Sequence, residues 1–536
     1  MKVLFVLQCP GYLRYFDSVL EALCQRGHQV AVAFDLPNKQ AEWLAVLDTI
    51  DGKVEVLDPV PARQDIWKPV ARGVRATIDY ARYLHPRFKD SSYLRDRMRV
   101  VLPWLTRGLG YWTTVSVERT GRLIRLLQAC ELAVPSSRIL EAYLRHANPT
   151  VLVVSPLVTD QCPQVDLLKA AQRVGLQSAL CVASWDHLTT KGLMRIKPGL
   201  VTVWNRAQRQ EAIDFHGVQE QGIVVTGAQC FDRWFERTPA RPRDEFCRLT
   251  GLDPANKFVV FTGSTASISS PEAEVRFVRH WIEAVRSGPS SLRDIGLLIR
   301  PHPYNSVQWA TADLASYHNV VVYPQHGSDR VGEGDRADYY DTLHHAAGIV
   351  GINTSAMVEA GIQDRPVFTI IDSSFDDTQT GTLHFRYLLP ENGGHLIRAI
   401  SLDEHAQQLA AIIEGKHAPS AHQFVQTFVR PNGIGRAATP RLADALEQLS
   451  FVKPVPEEPV LWHLLVVRVG LWLVAAVVAI FDVSRIRKWY RKARSRYSMA
   501  IWRFYKSRRK HYRKWRERRT RIAKKARRSR SGGAAS

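Results

Sequence analysis

The sequence predicts an α/β fold of two lobes, each built around a parallel sheet. Short apolar runs recur along the first 450 positions and alternate with segments of helical periodicity. The first 35 residues contain strand, helix and strand in the order of a βαβ unit, whose strands are parallel. A Pro- and Arg-rich run, TPARPR at 238–243, separates two such sets. Two Rossmann-like lobes in tandem are therefore expected.

The predicted first lobe covers residues 1–236. Lys2–Leu7 (KVLFVL) and Gln29–Phe34 (QVAVAF) have the continuous apolar character of buried strands, and 12–26 is periodic like a helix. Further strands are predicted at 151–154, 178–182, 201–204 and 223–226. Residues 62–148 interrupt this alternation with Arg, Leu and aromatic residues at helical spacing, so we predict a helical insertion there.

The predicted second lobe covers residues 244–450. Its strands are expected at 258–261, 297–299, 320–323, 349–352 and 367–371. In open α/β sheets, ligands bind at the carboxyl ends of the strands. Two such sheets facing each other leave a cleft between the lobes, which is where we expect the site.

The charge of the chain is concentrated in one tail. Residues 485–530 hold 23 Lys/Arg and one Glu, whereas the rest of the chain holds 50 basic and 50 acidic residues. A protein that binds nucleic acid through its folded body usually spreads basic patches over that surface. Seven cysteines without a C-x-x-C pair argue against a disulfide framework or a structural zinc site. The short apolar stretch after Lys2 is not a secretory signal, so the body is expected in the cytoplasm.

The run I-R-P-H-P at 299–303 follows a predicted strand and places Arg300 and His302 at the cleft. Arginine binds phosphate oxygens, and histidine donates to phosphate or transfers a proton near neutral pH. We expect both to contact a donor, with His302 also a candidate catalytic residue. The alternative is a turn in which Arg300 pairs with an acid.

Two further turns follow strands of the second lobe. Asn353, Thr354 and Ser355 precede a predicted helix, whose N-terminus suits a diphosphate, and Glu359 is placed to accept bonds from ribose hydroxyls. Ordinary capping of that helix is the alternative. The other turn, Gly263-Ser264-Thr265, is a weaker candidate for holding phosphate with backbone amides.

In the first lobe, the segment SWDHLTTKG at 184–192 follows a strand. Asp186 or His187 is expected to act as general base towards an acceptor hydroxyl, with Lys191 supplying positive charge. A loop in which Asp186 only caps the next turn is the alternative.

Other polar clusters are weaker candidates. Asp338, Asp341, His344 and His345 share one side of a predicted helix, but solvated helices often have this pattern. The pair His384 and Arg386 lies in a predicted loop that could close the cleft. The chain contains no D-x-D sequence, so neither a metal nor another cofactor is expected and Arg, His and helix ends would neutralise a diphosphate.

Over roughly residues 1–450 these motifs resemble the GT-B superfamily of two-lobed nucleotide-sugar enzymes. The R-x-H-P loop is similar to that of CDP-glycerol glycerophosphotransferases and capsule-polysaccharide transferases. Glu359-Ala360 through Pro366-Val367 is similar to the E-A-x-x-x-x-x-P-V pattern of UDP-N-acetylglucosamine 2-epimerases. The segments VTGAQCFDRW (225–234) and FVRPNGIGRAATPRLADAL (428–446) resemble a less characterised bacterial branch.

The resemblance implies a donor site in the second lobe, an acceptor site in the first, and a last helix that crosses back between them. Ile352-Asn353-Thr354-Ser355 departs from the D-Y-S-S loop that glycerophosphotransferases tend to have, so a polyol-phosphate donor is the weaker alternative. An epimerase would need a set of catalytic acids in the first lobe that this sequence does not offer.

Residues 460–481 form an apolar run interrupted only by His463 and Arg468. Its length allows a membrane crossing, but a basic tail on the cytoplasmic side together with a cytoplasmic body favours an in-plane segment. Aromatic residues recur at helical spacing among the arginines of 485–530, which predicts a basic amphipathic helix at an anionic membrane surface.

The sequence therefore predicts a membrane-peripheral transferase at the cytoplasmic face of the plasma membrane. It would move a sugar from a nucleotide donor to a lipid-linked or surface-polysaccharide acceptor. A nucleic-acid-binding protein with a degenerate body of this fold is the alternative from another class, since Arg/aromatic interleaving also suits nucleic acid.

Overall fold

A computed structural model describes residues 1–314, 316–416, 418–454 and 462–481. The first lobe contains a seven-stranded sheet in which every strand pair is parallel, in the order β3-β2-β1-β4-β5-β6-β7. Its strands are β1 (Lys2–Leu7), β2 (Gln29–Phe34), β3 (Val54–Val56), β4 (Val151–Ser155), β5 (Gln177–Cys181), β6 (Leu200–Val203) and β7 (Ile223–Val225). This order reverses beside β1, as in a doubly wound domain.

The second lobe repeats this arrangement with a six-stranded parallel sheet in the order β10-β9-β8-β11-β12-β13. Its strands are β8 (Phe258–Thr262), β9 (Gly296–Arg300), β10 (Val320–Val322), β11 (Gly348–Gly351), β12 (Val367–Ile370) and β13 (Ile397–Ala399). The predicted fold class, α/β with two Rossmann-like lobes, is confirmed. The boundaries predicted at residues 236, 244 and 450 stay predictions.

Helices cover both faces of each sheet. The α-helices of the first lobe are α1 (Asp17–Gln25), α2 (Trp67–Arg82), α3 (Ser92–Arg99), α4 (Val117–Ala133), α5 (Arg138–Ala147), α6 (Gln164–Val174), α7 (His187–Thr190), α8 (Arg206–His216) and α9 (Asp232–Glu236). Those that follow are α10 (Arg243–Thr250), α11 (Pro271–Ser287), α12 (Glu333–His344), α13 (Ala356–Ile362), α14 (Leu383–Arg386), α15 (Leu402–Ile413), α16 (His422–Phe424), α17 (Ala438–Phe451) and α18 (Trp462–Phe481).

Every predicted strand is present, and the differences lie at edges and ends. The edge strands β3 and β13 were missed because each has only three residues and neither forms a continuous apolar run. The helix predicted at 12–26 is divided in two. A 3₁₀-helix over Pro10–Tyr15 precedes α1, and Phe16, with φ −133° and ψ 0°, separates them.

The insertion is helical, as expected, and contains α2 to α5. A buried ionic network joins it to α6 of the lobe. The Arg75 guanidinium donates to the Glu131 carboxylate at 2.8 Å and to the Asp166 carboxylate at 2.7 Å, and Lys169 lies 3.4 Å from Glu131. Because each buried charge faces an opposite charge, removing one partner would leave the other uncompensated.

The helix at the end of the predicted second lobe, α17, packs on the first lobe. Its residues Leu442 and Leu446 belong to the same apolar cluster as Phe5 of β1. At the N-terminus of α17 the backbone amides of Ala438 and Thr439 donate to the carboxylate of Asp232, at 3.0 and 2.7 Å. Asp232 and the N-terminus of α17 lie in the segments 225–234 and 428–446, whose resemblance to a bacterial branch is described above.

Residues 469–481 belong to a different compact unit from Met1–Arg468. No helix within the described ranges has both the length and the apolar character needed to cross a membrane. The basic helix predicted at 485–530 and the start of the apolar run at 460–461 lie outside the described residues.

Replacing Asp232 tests how the crossing helix is held. Asp232 is 4% exposed and also accepts from the Arg430 guanidinium at 3.0 Å. We expect Asp232→Ala to lower the free energy of unfolding by about 3 kcal/mol, because it strands a buried arginine and two helix amides.

Asp444→Ala is the matched control, measured by urea denaturation in parallel. Asp444 also lies on α17, pairs with Arg26 at 2.8 Å and is exposed, so its loss should cost less than about 1 kcal/mol. Equal losses for both variants would contradict the assigned role of Asp232.

Candidate functional site

A cavity of about 530 Å³ lies between the carboxyl ends of the two sheets. Loops that follow β1, β4, β8 and β11 line it, so both switch points of strand order open onto the same space. Ten of the predicted site residues line the cavity: Asp186, His187, Gly263, Thr265, Arg300, His302, Asn353, Thr354, Ser355 and Glu359.

Ser264 is the predicted site residue that does not line the cavity. Its side chain is fully buried, and its backbone amide donates to the Glu274 carboxylate at 2.7 Å. Gln308 donates to the other carboxylate oxygen at 3.0 Å. Burial raises the pKa of Glu274 to about 7. Glu274 therefore holds the turn in position through the Ser264 amide. The sequence analysis did not identify it.

Gly263 is required by close backbone packing. Its amide donates to the Arg300 carbonyl at 2.9 Å, and a Cβ placed on it would lie 2.8 Å from the His302 nitrogen. A residue with a side chain would therefore push the two turns apart. This contact joins the predicted phosphate turn to the R-P-H-P loop.

His302 is half-buried and accepts the backbone amide of Tyr304 at its Nδ1, at 3.1 Å. The neutral ring then carries its proton on Nε2. Burial lowers the pKa of His302 to about 4, and the positive charges of Arg330 and Arg14 add to this effect. At neutral pH His302 is thus an uncharged hydrogen-bond donor.

Arg300 is committed to the protein itself. Its guanidinium donates to Thr342 Oγ1 at 2.6 Å and lies 3.4 Å from the Asp338 carboxylate. It also stacks over the Tyr339 ring at 4.9 Å. The alternative considered above, an Arg300 paired with an acid, describes this geometry, although the acid lies inside the lobe.

Residues 353–355 connect the two lobes. The Ser355 hydroxyl accepts from the Trp185 indole nitrogen of the first lobe at 3.2 Å. Asn353 is buried and donates to the Thr378 carbonyl at 2.5 Å. The turn is therefore fixed on both sides before any ligand is bound.

Glu359 is also held by its neighbours. Arg330 donates to both carboxylate oxygens, at 3.1 and 3.2 Å, and the Tyr339 hydroxyl donates at 2.5 Å. A carboxylate has about four acceptor positions, so Glu359 retains room for one hydroxyl of a ligand.

In the first lobe, Asp186 is an ionised group in a hydrogen-bonded setting. Ser184 and Thr190 donate to its two oxygens at 2.6 and 2.8 Å, and Lys191 lies 3.6 Å away. Burial raises the pKa of Asp186, but Lys191 and these contacts outweigh that effect and hold it below its usual range. Such a carboxylate is a weak base.

His187 has a different character. It is 5% exposed, lines the cavity, and its Nδ1 has no hydrogen-bond partner among the described residues. Burial lowers the pKa of His187 to about 4, while the neighbouring Asp186 opposes that shift. A neutral imidazole with a free nitrogen can accept a proton, and Asp186 would stabilise the resulting charge.

His384 also lines the cavity. The segment predicted as a loop is the short helix α14, which turns His384 inward against Trp185, with ring centroids 4.8 Å apart. Arg386 faces the first lobe and lies 3.3 Å from Asp90. Burial lowers the pKa of His384 to about 4.

Positive charge is concentrated on the cavity walls. Eight Arg or Lys residues line the cavity against three Asp or Glu residues. Seven of the eight form a salt bridge, whereas Arg14 has no carboxylate partner within 4.0 Å among the described residues. Arg14 instead stacks on Tyr15 and Trp43, at 4.7 and 5.7 Å.

Arg14 is the most important residue that the sequence analysis missed. It lies in the 3₁₀-helix directly after β1, where the first switch point requires a ligand-facing loop. That position could have indicated it.

Three of the polar side chains predicted on one side of a helix, those of Asp338, Asp341 and His345, form hydrogen bonds within the fold. Asp341 accepts the Ala240 amide at 2.8 Å, and the ring of His345 bonds the Arg241 carbonyl at 2.8 Å. Asp338 accepts from the Tyr323 hydroxyl at 2.9 Å. In the described part of the chain no group of three or more metal-ligating side chains is assembled.

No protein-family profile matches the chain, and no curated protein sequence matches it. Among solved structures it is similar to the UDP-GlcNAc 2-epimerase of Methanocaldococcus jannaschii, at 12% identity, with 84% of this chain and 100% of that chain covered and a TM-score of 0.48. It is likewise similar to the UDP-GlcNAc 2-epimerase of Neisseria meningitidis bound to UDP-GlcNAc, at 12% identity, with 83% and 100% covered and a TM-score of 0.47. A glycosyltransferase of Rickettsia africae matches at 10% identity, with 84% and 98% covered and a TM-score of 0.46.

The low pKa values of the buried histidines predict that the free energy of unfolding falls at acidic pH. An unfolded histidine binds protons near pH 6.5, whereas folded His384 does so only near pH 4. The stability contributed by neutral His384 is thus fully present above pH 6.5 and is lost as the pH falls towards 4. In His384→Gln the decline between pH 6.5 and 4 should be shallower, by up to about 1.4 kcal/mol per pH unit.

The measurement is urea denaturation at pH 7 and pH 5. His422→Gln, at an exposed position, is the control and should keep the slope of the unmodified protein. A slope in His384→Gln that equals that of the unmodified protein would contradict a neutral, buried His384.

Proposed function

We propose that this protein is a transferase that moves a sugar from a nucleotide diphosphate donor to a hydroxyl acceptor held by the first lobe. The observation that carries the proposal is the electropositive cavity at both switch points, with Arg14 unpaired by any carboxylate among the described residues. A diphosphate carries the negative charge that would pair with Arg14 and the other basic residues of the cavity. The GT-B resemblance of the sequence motifs agrees with this chemistry.

The donor would be bound mainly by the second lobe. His302 would donate through Nε2 to a phosphate oxygen, Arg14 would approach from the first lobe, and the turns at 263–265 and 353–355 would surround the diphosphate. Glu359 would accept a ribose hydroxyl. Arg300 would act indirectly, by holding the strand end from which His302 extends.

His187 would be the general base, and this choice between His187 and Asp186 comes from their surroundings. His187 has a free nitrogen and no charge, whereas Asp186 is engaged by Ser184, Thr190 and Lys191. The base would take the proton of the acceptor hydroxyl as its oxygen attacks the sugar carbon and the nucleotide diphosphate leaves.

The acceptor would be lipid-linked or part of a surface polysaccharide, reached from the cytoplasmic face of the plasma membrane. The support is the composition of residues 460–530, where an apolar run precedes all of the excess basic charge. A CDP-glycerol-type polyol-phosphate transfer would use the same cavity and is the second candidate reaction. Binding of nucleic acid by the tail is a third possibility, which pull-down of the full chain with RNA and with lipid vesicles would distinguish.

Two variants separate binding from chemistry. Arg14→Ala should weaken nucleoside diphosphate binding at least about tenfold, since a charge-assisted hydrogen bond contributes about 1.5–3 kcal/mol. His187→Ala should bind the nucleotide normally but turn over about 100- to 10,000-fold more slowly, as expected when a general base is removed.

Thermal-shift screening with UDP, CDP, GDP and dTDP identifies the nucleobase of the donor. Titration calorimetry with the nucleotide that stabilises the protein most then compares the variants. Turnover is followed as release of that nucleotide from its sugar conjugate in the presence of envelope lipid. Arg398→Ala, an exposed arginine paired with Glu391 away from the cavity, is the control. Diphosphate binding that is unchanged in Arg14→Ala would refute the proposed donor site.

A further inference from the structure

The helical insertion exposes an apolar surface that the cavity does not explain. From the end of α3 to the first residue of α4 the chain presents Val100, Trp104, Leu105, Tyr111, Trp112 and Val117 to solvent, and we call these six residues the insertion surface. Val100, Trp104 and Tyr111 are 84%, 72% and 87% exposed. Six large apolar side chains exposed within 18 consecutive residues are typical of an interaction site.

This surface stands on a fixed scaffold. Met98, in α3, and Leu102, directly after it, pack into a small core with Tyr80 and Tyr83. The Tyr80 hydroxyl donates to the Trp112 carbonyl at 2.9 Å. The side chains that face outward are therefore those left over after the inner side has been packed.

The surroundings of the insertion surface are basic. Residues 95–125 hold seven arginines against two acidic residues, although the body as a whole is balanced. Arg107, Arg119 and Arg125 are exposed and form no salt bridge among the described residues. Trp and Tyr beside unpaired arginines are typical of surfaces that enter the headgroup region of an anionic bilayer.

The same part of the chain forms the wall of the cavity. Tyr93 and Arg97 of α3 line the cavity, and the insertion surface begins directly after the end of this helix at Arg99. Because α3 has only eight residues, it is about 12 Å long, and its end at Arg99 therefore lies near the residues that line the cavity. Arg468, in α18, donates to the Ala133 carbonyl at the end of α4, at 2.7 Å, so α18 contacts the insertion at this residue.

We propose that the insertion surface binds the headgroup and upper acyl region of an anionic lipid bilayer, independently of the basic tail. Trp104, Tyr111 and Leu105 enter the interface, while Arg107 and Arg119 contact lipid phosphates. This would place the mouth of the cavity beside the bilayer. That consequence for a lipid-linked acceptor rests on the proposed function, whereas the binding itself does not.

The test uses the full chain and vesicles of equal parts phosphatidylglycerol and phosphatidylcholine. Hydrogen exchange, read by mass spectrometry, reports on each segment separately, so the contribution of the tail is resolved from that of the insertion. We expect slower amide exchange at 99–117 with these vesicles, and less slowing with pure phosphatidylcholine.

The double variant Trp104→Ser with Tyr111→Ser should lose this protection and bind the vesicles at least about fivefold more weakly, because two interfacial aromatics are removed. Its thermal midpoint should not change, since both side chains are exposed. Val307→Ser, 86% exposed on the second lobe, is the matched control and should behave like the unmodified protein.

Three results would overturn the proposal. The first is vesicle binding without slower exchange at 99–117, which would assign all membrane contact to other segments. The second is slowing at 99–117 that appears without lipid as protein concentration rises, which would indicate a second copy. The third is vesicle binding by the double variant that equals that of the unmodified protein. Nucleotide binding is measured on the same samples, so failure of the donor site would be recognised separately.

Discussion

The geometry of the cleft depends on the carboxylate of Asp232. This group lies at the start of α9 and accepts the first amides of α17 together with the guanidinium of Arg430. It thereby fixes the helix that returns from the second half of the chain to the first lobe. The Arg430 guanidinium in turn lies 3.5 Å from the Phe235 ring centroid, so the contact is shielded by aromatic packing. Because α17 contributes Leu442 and Leu446 to the core around β1, the two sheets are held with their carboxyl ends facing one cavity.

Within this frame, charge and neutrality are divided among the residues of the site. Arginines surround the cavity, but three histidines on its walls have pKa values lowered to about 4 by burial and stay uncharged. A neutral histidine can donate or accept a hydrogen bond without adding to the positive charge on the cavity walls. The cavity therefore contains both charged groups and neutral histidines, and the two kinds can be adjacent in the sequence, as Asp186 and His187 are. The body has equal numbers of acidic and basic residues, so the positive charge of the cavity arises from where the basic residues lie and not from an excess of them.

Much of the fold could be predicted from the sequence because parallel strands buried on both faces are continuous apolar runs. The loops of the site could be predicted too, since ligand loops follow the carboxyl ends of such strands. Details within a loop could not. Ser264 does not line the cavity, because its side chain is buried and its backbone amide donates to the Glu274 carboxylate. Arg14 was missed because its loop has no glycine motif. His384 was expected near the cleft but in a loop, because its helix is only one turn long. Contacts between distant segments, such as Trp185 with Ser355, have no local signal at all.

The most direct test of the account is the structure of the full chain with the nucleoside diphosphate that stabilises it most. The account predicts that its β-phosphate lies between the ends of β1, β8 and β11, within hydrogen-bond distance of the Arg14 guanidinium and of His302 Nε2. A nucleotide bound outside this cavity, for example along the exposed groove beside α11, would contradict the assignment of the cleft as the donor site.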